Sequence, residues 1–529
     1  WRLLTLYSGQ RFAEGQNMTG FNLLTEDWIP VQKQGQLETI SLKRLLCNDE
    51  DWQICLSRDD MEMAALQLIV CIVQVVFMPD DEDDLLDTYS KPMNEVDYEK
   101  GILPFMEWFD LLHPKYPFMQ CADVKTKDVK SKDQIPKNWT SFQKLFIGLP
   151  EITSNSPSSK AFFNTVYEID NAFYGEIAIA IFQQATNGFS LGGSQFAVGL
   201  KGSMPSTTLI QEKNLRKSIW VNVINKDYLN QKTSLLDGNK NNDPSWVVLP
   251  SFDKSSPENA QNIGLLRGLF WQPAKIKLFI DENRKLSGFL TEPGMSYFEG
   301  FWKHPHTPID EITFKENNSS KKPFLSLRRD YPVWTEMLSY FYTKNPGQGG
   351  ASRALVVSHY EQTIGRGKSI NLVVGGYVKG GSQESIAARK HELYGISSGW
   401  ENQIAEINLL ISYGLDAQKA LDYAIYSFGK ELNEIRIIRN KEQESNLIKK
   451  LKEQTKKNYF AGSEPVFHSI MRRLDVSDIS KYKNCFVQLA MGTFETIFSP
   501  YEHDPKLLKA VVAGRRTLTR NLAKIGENN

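Results

Sequence analysis

From Trp400 to Ile525 the apolar residues recur at helical spacing, and no other long stretch of the chain is so regular. In WENQIAEINLLISYGL, Ile404, Ile407, Leu410 and Ile411 fall on one stripe, which is the period of an amphipathic helix. DAQKALDYAIYSFGKELNEI repeats the pattern after Asp416, a residue type that caps helix N-termini. CFVQLAMGTFETIF and PKLLKAVVAGRRTLTRNLAKI complete the set. Such helices bury their stripes only against one another. Four in succession with short connections therefore predict a helical bundle. At 529 residues the chain is too long for one small core, and upstream of Trp400 its pattern is of another kind.

That upstream part mixes helix and strand signals. LSRDDMEMAALQLIVCIVQVVFMPDDEDD starts a helix at Asp59 or Asp60, with Glu62 in the first turn, where acids complement free amides and the dipole. The apolar run from Met63 to Met78 is interrupted by Gln67 and Gln74 and stopped by Pro79. It is too short to span a membrane and reads as a buried core helix. SIWVNVI, AKIKLFI and NLVVGGY are short and rich in Val and Ile, as strands are. The expected class is α+β: a large mixed α/β body over residues 18–395, then a four-helix bundle over 396–529. The opening WRLLTLYSGQRFAEGQN is too polar for a signal peptide, so residues 1–17 are expected to be an upstream extension or tag, with the domain starting near Met18. No targeting signal is seen, and the low, scattered cysteine count is that of a cytoplasmic protein. The five cysteines (Cys47, Cys55, Cys71, Cys121 and Cys485) are scattered without CxxC spacing, which suggests reduced, buried thiols and no zinc knuckle.

The net charge is zero, which argues against a protein wrapped uniformly in nucleic acid but allows local basic patches. GRGKS at 365–369 ends like a phosphate-binding P-loop. The pattern requires a glycine at the position of Gln362, however, and a helix afterwards, where INLVVGGY reads as a strand. A stand-alone nucleotide hydrolase using this segment is the alternative function. Of seven histidines, only His304 and His306 in KHPHTP lie close together, and spacing suggests no third metal ligand. Asp59 and Asp60 are paired carboxylates at a helix start, where capping is their commoner role. No motif assembles a catalytic constellation, so neither enzymatic activity, a cofactor nor a metal is expected. Two glycine-rich stretches stand out instead, NGFSLGGSQF (187–196) and GGYVKGGSQESIAARKHE (375–392). Glycines allow close backbone approach to a partner.

The ordered segments NLLTEDWIPV, LSRDDMEMAALQLIVCI, HPKYPFMQ, RGLFWQPAKIKL, WKHPHTP, GGY and SPYEHDPKLL, spaced from Phe21 to the C-terminus, resemble the CasA large subunit of the type I-E CRISPR surveillance complex, Cascade. The resemblance implies a mixed α/β body with a C-terminal four-helix bundle. It implies a non-catalytic subunit that recognises the protospacer-adjacent motif (PAM) of double-stranded DNA from the minor groove. That subunit helps open the duplex and docks a helicase–nuclease. The implied partners are CRISPR RNA, the other Cascade subunits, target DNA and that helicase–nuclease, with no membrane. The family's glycine loop matches Ser190, Leu191, Gly192 and Gly193, with serine in place of its first glycine. Its wedge hairpin matches Ser382, Gln383 and Glu384, with Gln383 as the wedge. The loop VKGGSQE is two residues longer than the family's, so the match leaves the register of the tip open. The resemblance also replaces the helix that local propensity favours at SIAARKHEL with the return strand of that hairpin. The family's PAM-contacting lysine falls on Pro293, with Lys379 and Lys285 as alternative cations. A loop contacting the RNA handle matches residues 161–176, with Phe162 as its RNA-touching aromatic, a residue type that stacks on bases.

Minor-groove reading mainly separates A·T from G·C pairs, so several related PAMs should be accepted. Pushing a side chain into a base step costs a few kcal/mol of unstacking, which binding contacts must offset. Candidate phosphate contacts are Lys125, Lys127 and Lys130 in VKTKDVK, and Arg515, Arg516 and Arg520 in the last helical segment.

Overall fold

The computed structural model describes residues 20–128, 135–147, 152–153, 156–157, 173–188, 198–280, 286–316, 323–342, 351–380, 386–398, 402–435, 441–472 and 476–526. The chain divides into two compact units. The first holds Trp1–Leu327, Thr343–Arg366 and Leu372–Leu393; the second holds Arg328–Tyr342, Gly367–Asn371 and Tyr394–Asn529.

In the first unit, Asp27–Lys33 (β1) and Gln36–Ser41 (β2) pair antiparallel, and Gln53–Ile54 (β3) flanks β1 on its other edge. Gln34 and Gly35 join β1 to β2 with φ of 51° and 82°. Two successive positive φ values match the right-handed twist of a hairpin, and a glycine meets the second without strain. Asp59–Val76 (α1) starts where its acidic residues predict, with Asp59, Asp60 and Glu62 in the first turn. From Met63 to Gln74 every residue is buried, so α1 is an interior helix. Its two glutamines are partnered. Gln74 donates to the Ile224 carbonyl at 2.8 Å and accepts from the Ile224 amide at 2.7 Å.

The chain continues through Trp139–Ser141 (β4), Tyr174–Asn187 (α2), Thr207–Ile210 (β5) and Leu215–Trp220 (α3). Then come Ala274–Ile280 (β6), Leu286–Met295 (β7), Leu355–Gln362 (α4), Ile370–Lys379 (β8) and Ile386–Ile396 (β9). They form two further three-stranded sheets, in the orders β4-β7-β6 and β9-β8-β5. Two of the three expected strands, AKIKLFI and NLVVGGY, lie in β6 and β8. SIWVNVI does not form a strand: its first residues close helix α3. Asn214 caps that helix by accepting from the Lys217 amide. Asn222 then pairs its side-chain amide with both the N–H and the carbonyl of Ile210, doing a strand's work at the end of β5. SIAARKHEL, by contrast, is a strand, because β9 runs along β8 from Ile386.

The second unit contains the bundle helices Ile404–Ile435 (α5), Lys441–Met471 (α6), Lys483–Glu502 (α7) and Pro505–Ala523 (α8). Among the described residues these are the four long helices of the unit, but not the four that periodicity outlined. The first two segments fuse into the 32-residue α5. Asp416 is therefore no cap; it lies inside the helix and pairs with Lys419 one turn on. The remaining member, α6, is lysine-rich and only weakly patterned, which hid it from a stripe count. Asp504 caps α8, and Pro505 occupies its first turn. Trp334 belongs to this unit too. Its ring stacks on Phe467 with centroids 4.8 Å apart and lies close over Gly414.

No helix among the described residues is long and apolar enough to cross a membrane. All five cysteines are free thiols; Cys71 and Cys121 are buried, while Cys485 is exposed, contrary to the expectation of uniform burial.

Candidate nucleic-acid interface

Ser190, Leu191, Gly192, Gly193, Ser382, Gln383, Glu384, Phe162, Lys130 and Lys285 lie outside the described residues. The elements from which their segments leave are described, and they carry several buried polar groups.

The segment with Ser190–Gly193 leaves from the C-terminus of α2. From Ile177 to Asn187 every residue of that helix is buried, including Gln183, Gln184, Thr186 and Asn187 near its end. Asn187 is fully used. Its amide donates to Gln67 Oε1 and to Gln183 Oε1, both at 2.8 Å. Its Oδ1 accepts from Lys201 Nζ at 2.8 Å and from Thr207 Oγ1 at 3.0 Å. Lys201 stands on the returning leg of the same connection. Gly199 closes that leg against α2, where an added Cβ would sit 2.4 Å from the Ala185 carbonyl oxygen. Burial pushes the Lys201 ammonium down to about 7, against a small upward pull from Cys71. The ammonium pairs with no carboxylate among the described residues.

The segment with Ser382–Glu384 joins β8 to β9. Tyr377, on β8, is buried against Ile147 and Met204, with Ile386 packed alongside. Its hydroxyl donates to Asp60 Oδ2 at 2.5 Å and accepts from Gln183 Nε2 at 2.7 Å. Asp60 also takes a two-pronged contact from Arg58, at 2.9 and 2.6 Å. On β9, Arg389 reaches Asp59 at 2.6 Å and Asp60 at 3.4 Å. Burial pushes the Asp60 carboxyl up, but the hydrogen bond and charge of Arg58, the Tyr377 hydroxyl and Arg389 together hold it below its ordinary value. The sequence reading assigned Asp59 and Asp60 a capping role. Asp60 is instead the buried anion on which the hairpin is seated.

Pro293 is exposed near the end of β7, just before Gly294, whose φ is 137°. The Lys125 segment is strapped beside it. Glu292 accepts from the Lys125 amide at 3.2 Å, and Asn138 bonds the Lys125 carbonyl at 2.9 Å and the Lys127 amide at 3.0 Å. The exposed Lys125 and Lys127 are thereby held on the Pro293 edge. Lys275 joins them, its ammonium 4.5 Å above the Phe252 ring and its stem next to Gly294. Sequence reasoning missed Lys275. Alternation in AKIKLFI, which turns Ile276 and Leu278 inward, was the available signal. Lys379 ends β8 and is exposed.

In α8 the three arginines differ. Arg515 is committed to Glu495 and Glu502 of α7, whereas Arg516 and Arg520 are exposed and pair with no carboxylate among the described residues. Gly365–Ser369 leads from the end of α4 straight into β8, so no helix N-terminus follows to offer its amides to a phosphate. His304 and His306 are buried with their rings 5.2 Å apart. His304 Nδ1 is occupied by the His306 amide at 3.0 Å, and burial together with the Lys201 charge pushes His306 down to about 3.

Comparison with known proteins agrees with this architecture. A chain of a "CRISPR RNA-guided surveillance complex" superposes with a TM-score of 0.60 at 14% identity, over 94% of this chain and 99% of that one. Thermus thermophilus CasA (Cse1) superposes with a TM-score of 0.70 at 19% identity, over 95% and 99% of the two chains. In sequence, a CRISPR-associated protein CasA/Cse1 of Thermus thermophilus is 24% identical over 407 residues, covering 74% of this chain and 73% of the relative. The family model for CRISPR-associated protein Cse1 matches residues 22–490, and with most of its length so matched the chain belongs to the Cse1 family.

Proposed function

We propose that this chain is the large, non-catalytic subunit of a type I-E CRISPR RNA-guided surveillance complex. In this reading it recognises the PAM of double-stranded target DNA from the minor groove, helps open the duplex and provides the docking site for the helicase–nuclease. Its partners are CRISPR RNA, through Phe162, and the other subunits of the complex. Family membership supports the reading, as does the likeness to a chain of such a complex.

One observation carries the site assignment. The two segments proposed to contact DNA leave from α2 and from the β8–β9 hairpin, and Gln183 of the first bonds Tyr377 of the second at 2.7 Å. Loops rooted this close can act on neighbouring base steps. Gln383 is the proposed wedge, and Ser190–Gly193 the groove-reading backbone. Lys125, Lys127 and Lys275 beside Pro293 offer the phosphate contacts that the missing family lysine would otherwise supply, with Lys379 at the hairpin's base. Arg516 and Arg520 offer a second set, and Arg515 orients the bundle rather than the DNA. Such contacts tie affinity to salt without adding base specificity.

The assembled complex, loaded with a guide, tests the reading against a duplex library with randomised PAM positions. Binding should select a small group of related PAMs. Gln383→Ala should leave initial docking within a few-fold of the parent while reducing permanganate reactivity of the bases beside the PAM. Normal opening in that variant would remove Gln383 from the wedge role.

A further inference from the structure

The last turn of α2 and the hairpin are joined by a continuous chain of buried hydrogen bonds. Lys201 Nζ donates to Asn187 Oδ1 at 2.8 Å, and Asn187 Nδ2 donates to Gln183 Oε1 at 2.8 Å. Gln183 Nε2 donates to the Tyr377 hydroxyl at 2.7 Å, which donates to Asp60 Oδ2 at 2.5 Å. A donating lysine Nζ stands at one end and an accepting carboxylate at the other. Every donor between them therefore has one direction available, and the chain is polarised along its length.

The ends of this chain sit at the roots of the two proposed DNA-contacting segments. Asn187 and Lys201 hold the outgoing and returning legs of one connection. Tyr377 precedes the hairpin connection, and Arg389, paired to Asp59 and Asp60, follows it. Satisfying buried polar groups is a general requirement, and a core built for stability alone meets it most simply with apolar residues. Earlier in α2 that is what happens: Ile177, Ile179, Ile181 and Phe182 are buried and apolar. Glu176 in the first turn is only partly buried, and the buried polar side chains of α2 (Gln183, Gln184, Thr186 and Asn187) all lie at the end that meets the hairpin.

We infer that Gln183 and Tyr377 are positioning residues that lock the last turn of α2 to strands β8 and β9, the roots of the two proposed DNA-contacting segments, so that reading the groove and wedging the duplex are energetically coupled. The inference rests on the PAM-reading function proposed above. It adds that neither connection works independently of the other.

Tyr377→Phe tests it, because it removes one oxygen and keeps the ring in its pocket. In the guide-loaded complex the ratio of affinities for PAM-containing and PAM-less duplexes should fall about tenfold, the size expected for losing a buried bond to a charged group. Opening beside the PAM should fall with it. The ratio is insensitive to the fraction of correctly folded subunit, so a merely structural role would lower yield and melting temperature without moving it. Gln183→Met breaks the same joint from the other side and should give the same loss if Tyr377→Phe assembles poorly. A double-mutant cycle between Gly193→Ala and Gln383→Ala should show coupling in the parent and additivity in the Tyr377→Phe background. An unchanged ratio in both joint variants, with Gly193→Ala and Gln383→Ala still active on it, overturns the coupling alone. If those two also leave the ratio unchanged, the PAM-reading assignment fails and the coupling falls with it.

Discussion

Lys201 is a lysine in a fully desolvated site whose hydrogen-bond acceptor is neutral, an arrangement a chain seldom keeps without use. Its titration can be followed. Unfolded lysine titrates near 10.4, and the folded amine near 7. Between those values the unfolded state binds a proton that the native state lacks, so this group makes stability rise with pH, by up to about 1.4 kcal/mol per unit. Cysteine thiols that burial pushes up, such as Cys121, act in the opposite sense. They are common to parent and variant and cancel in a comparison. The difference in unfolding free energy between the parent and Lys201→Met should therefore change steadily from pH 7.5 to 9.5 in urea titrations, in the parent's favour as pH rises. A flat difference would mean that the amine is solvated. The sequence shows Lys201 only as one more lysine after a glycine-rich stretch; nothing local marks it as buried.

At the level of elements, helix α5 shows where periodicity misleads. Gly414 and Asp416 together look like a break followed by a cap. In the fold, the glycine is there because an added Cβ would stand 2.5 Å from the Trp334 ring. Gly414→Ala should cost about 1–3 kcal/mol in thermal unfolding despite alanine's better helix propensity, because a rigid indole must move. Asp416→Ala should change stability by no more than about 0.5 kcal/mol, the value of an exposed pair one turn apart, rather than the ~1 kcal/mol of a lost cap. A loss of cap size would show the helix to be broken in solution. The same lesson applies to SIWVNVI and SIAARKHEL. The first has strand composition but follows a capping asparagine; the second has helix composition but lies along β8. Ladder hydrogen bonds and burial outweigh propensities worth tenths of a kcal/mol per residue.

For the molecule as a whole, three deeply buried histidines contribute to the loss of stability in acid, and His391 and His468, which burial also pushes down, act in the same direction. Burial pushes His304 well below its ordinary value, and His306 and His359 to about 3. Unfolded histidine takes up a proton near 6.5. As pH falls below that point the unfolded state gains protons that the native state refuses. Stability is therefore lost through the window from about 6.5 towards 3, by up to about 1.4 kcal/mol per unit for each histidine. Urea denaturation between pH 7 and 5 should show this slope, and His359→Gln should reduce it by one histidine's share. An unaltered slope in the variant would mean that His359 is protonated in the folded state. The sequence by itself determined that the C-terminal part is helical and amphipathic, that α1 is a core helix, that β6 and β8 are strands, and which family the chain resembles. These follow from local period, composition and ordered motifs, each legible within a short window. Only the tertiary structure decided that α5 is one helix, that Trp334 packs with the bundle, and that Asp60 seats the hairpin. Tyr377 and Asp60 lie 317 positions apart, and their bond exists because the sheet and α1 bring them together. No spacing rule spans such a distance, which is why the joint between the two candidate DNA-contacting segments could be seen only in the folded molecule.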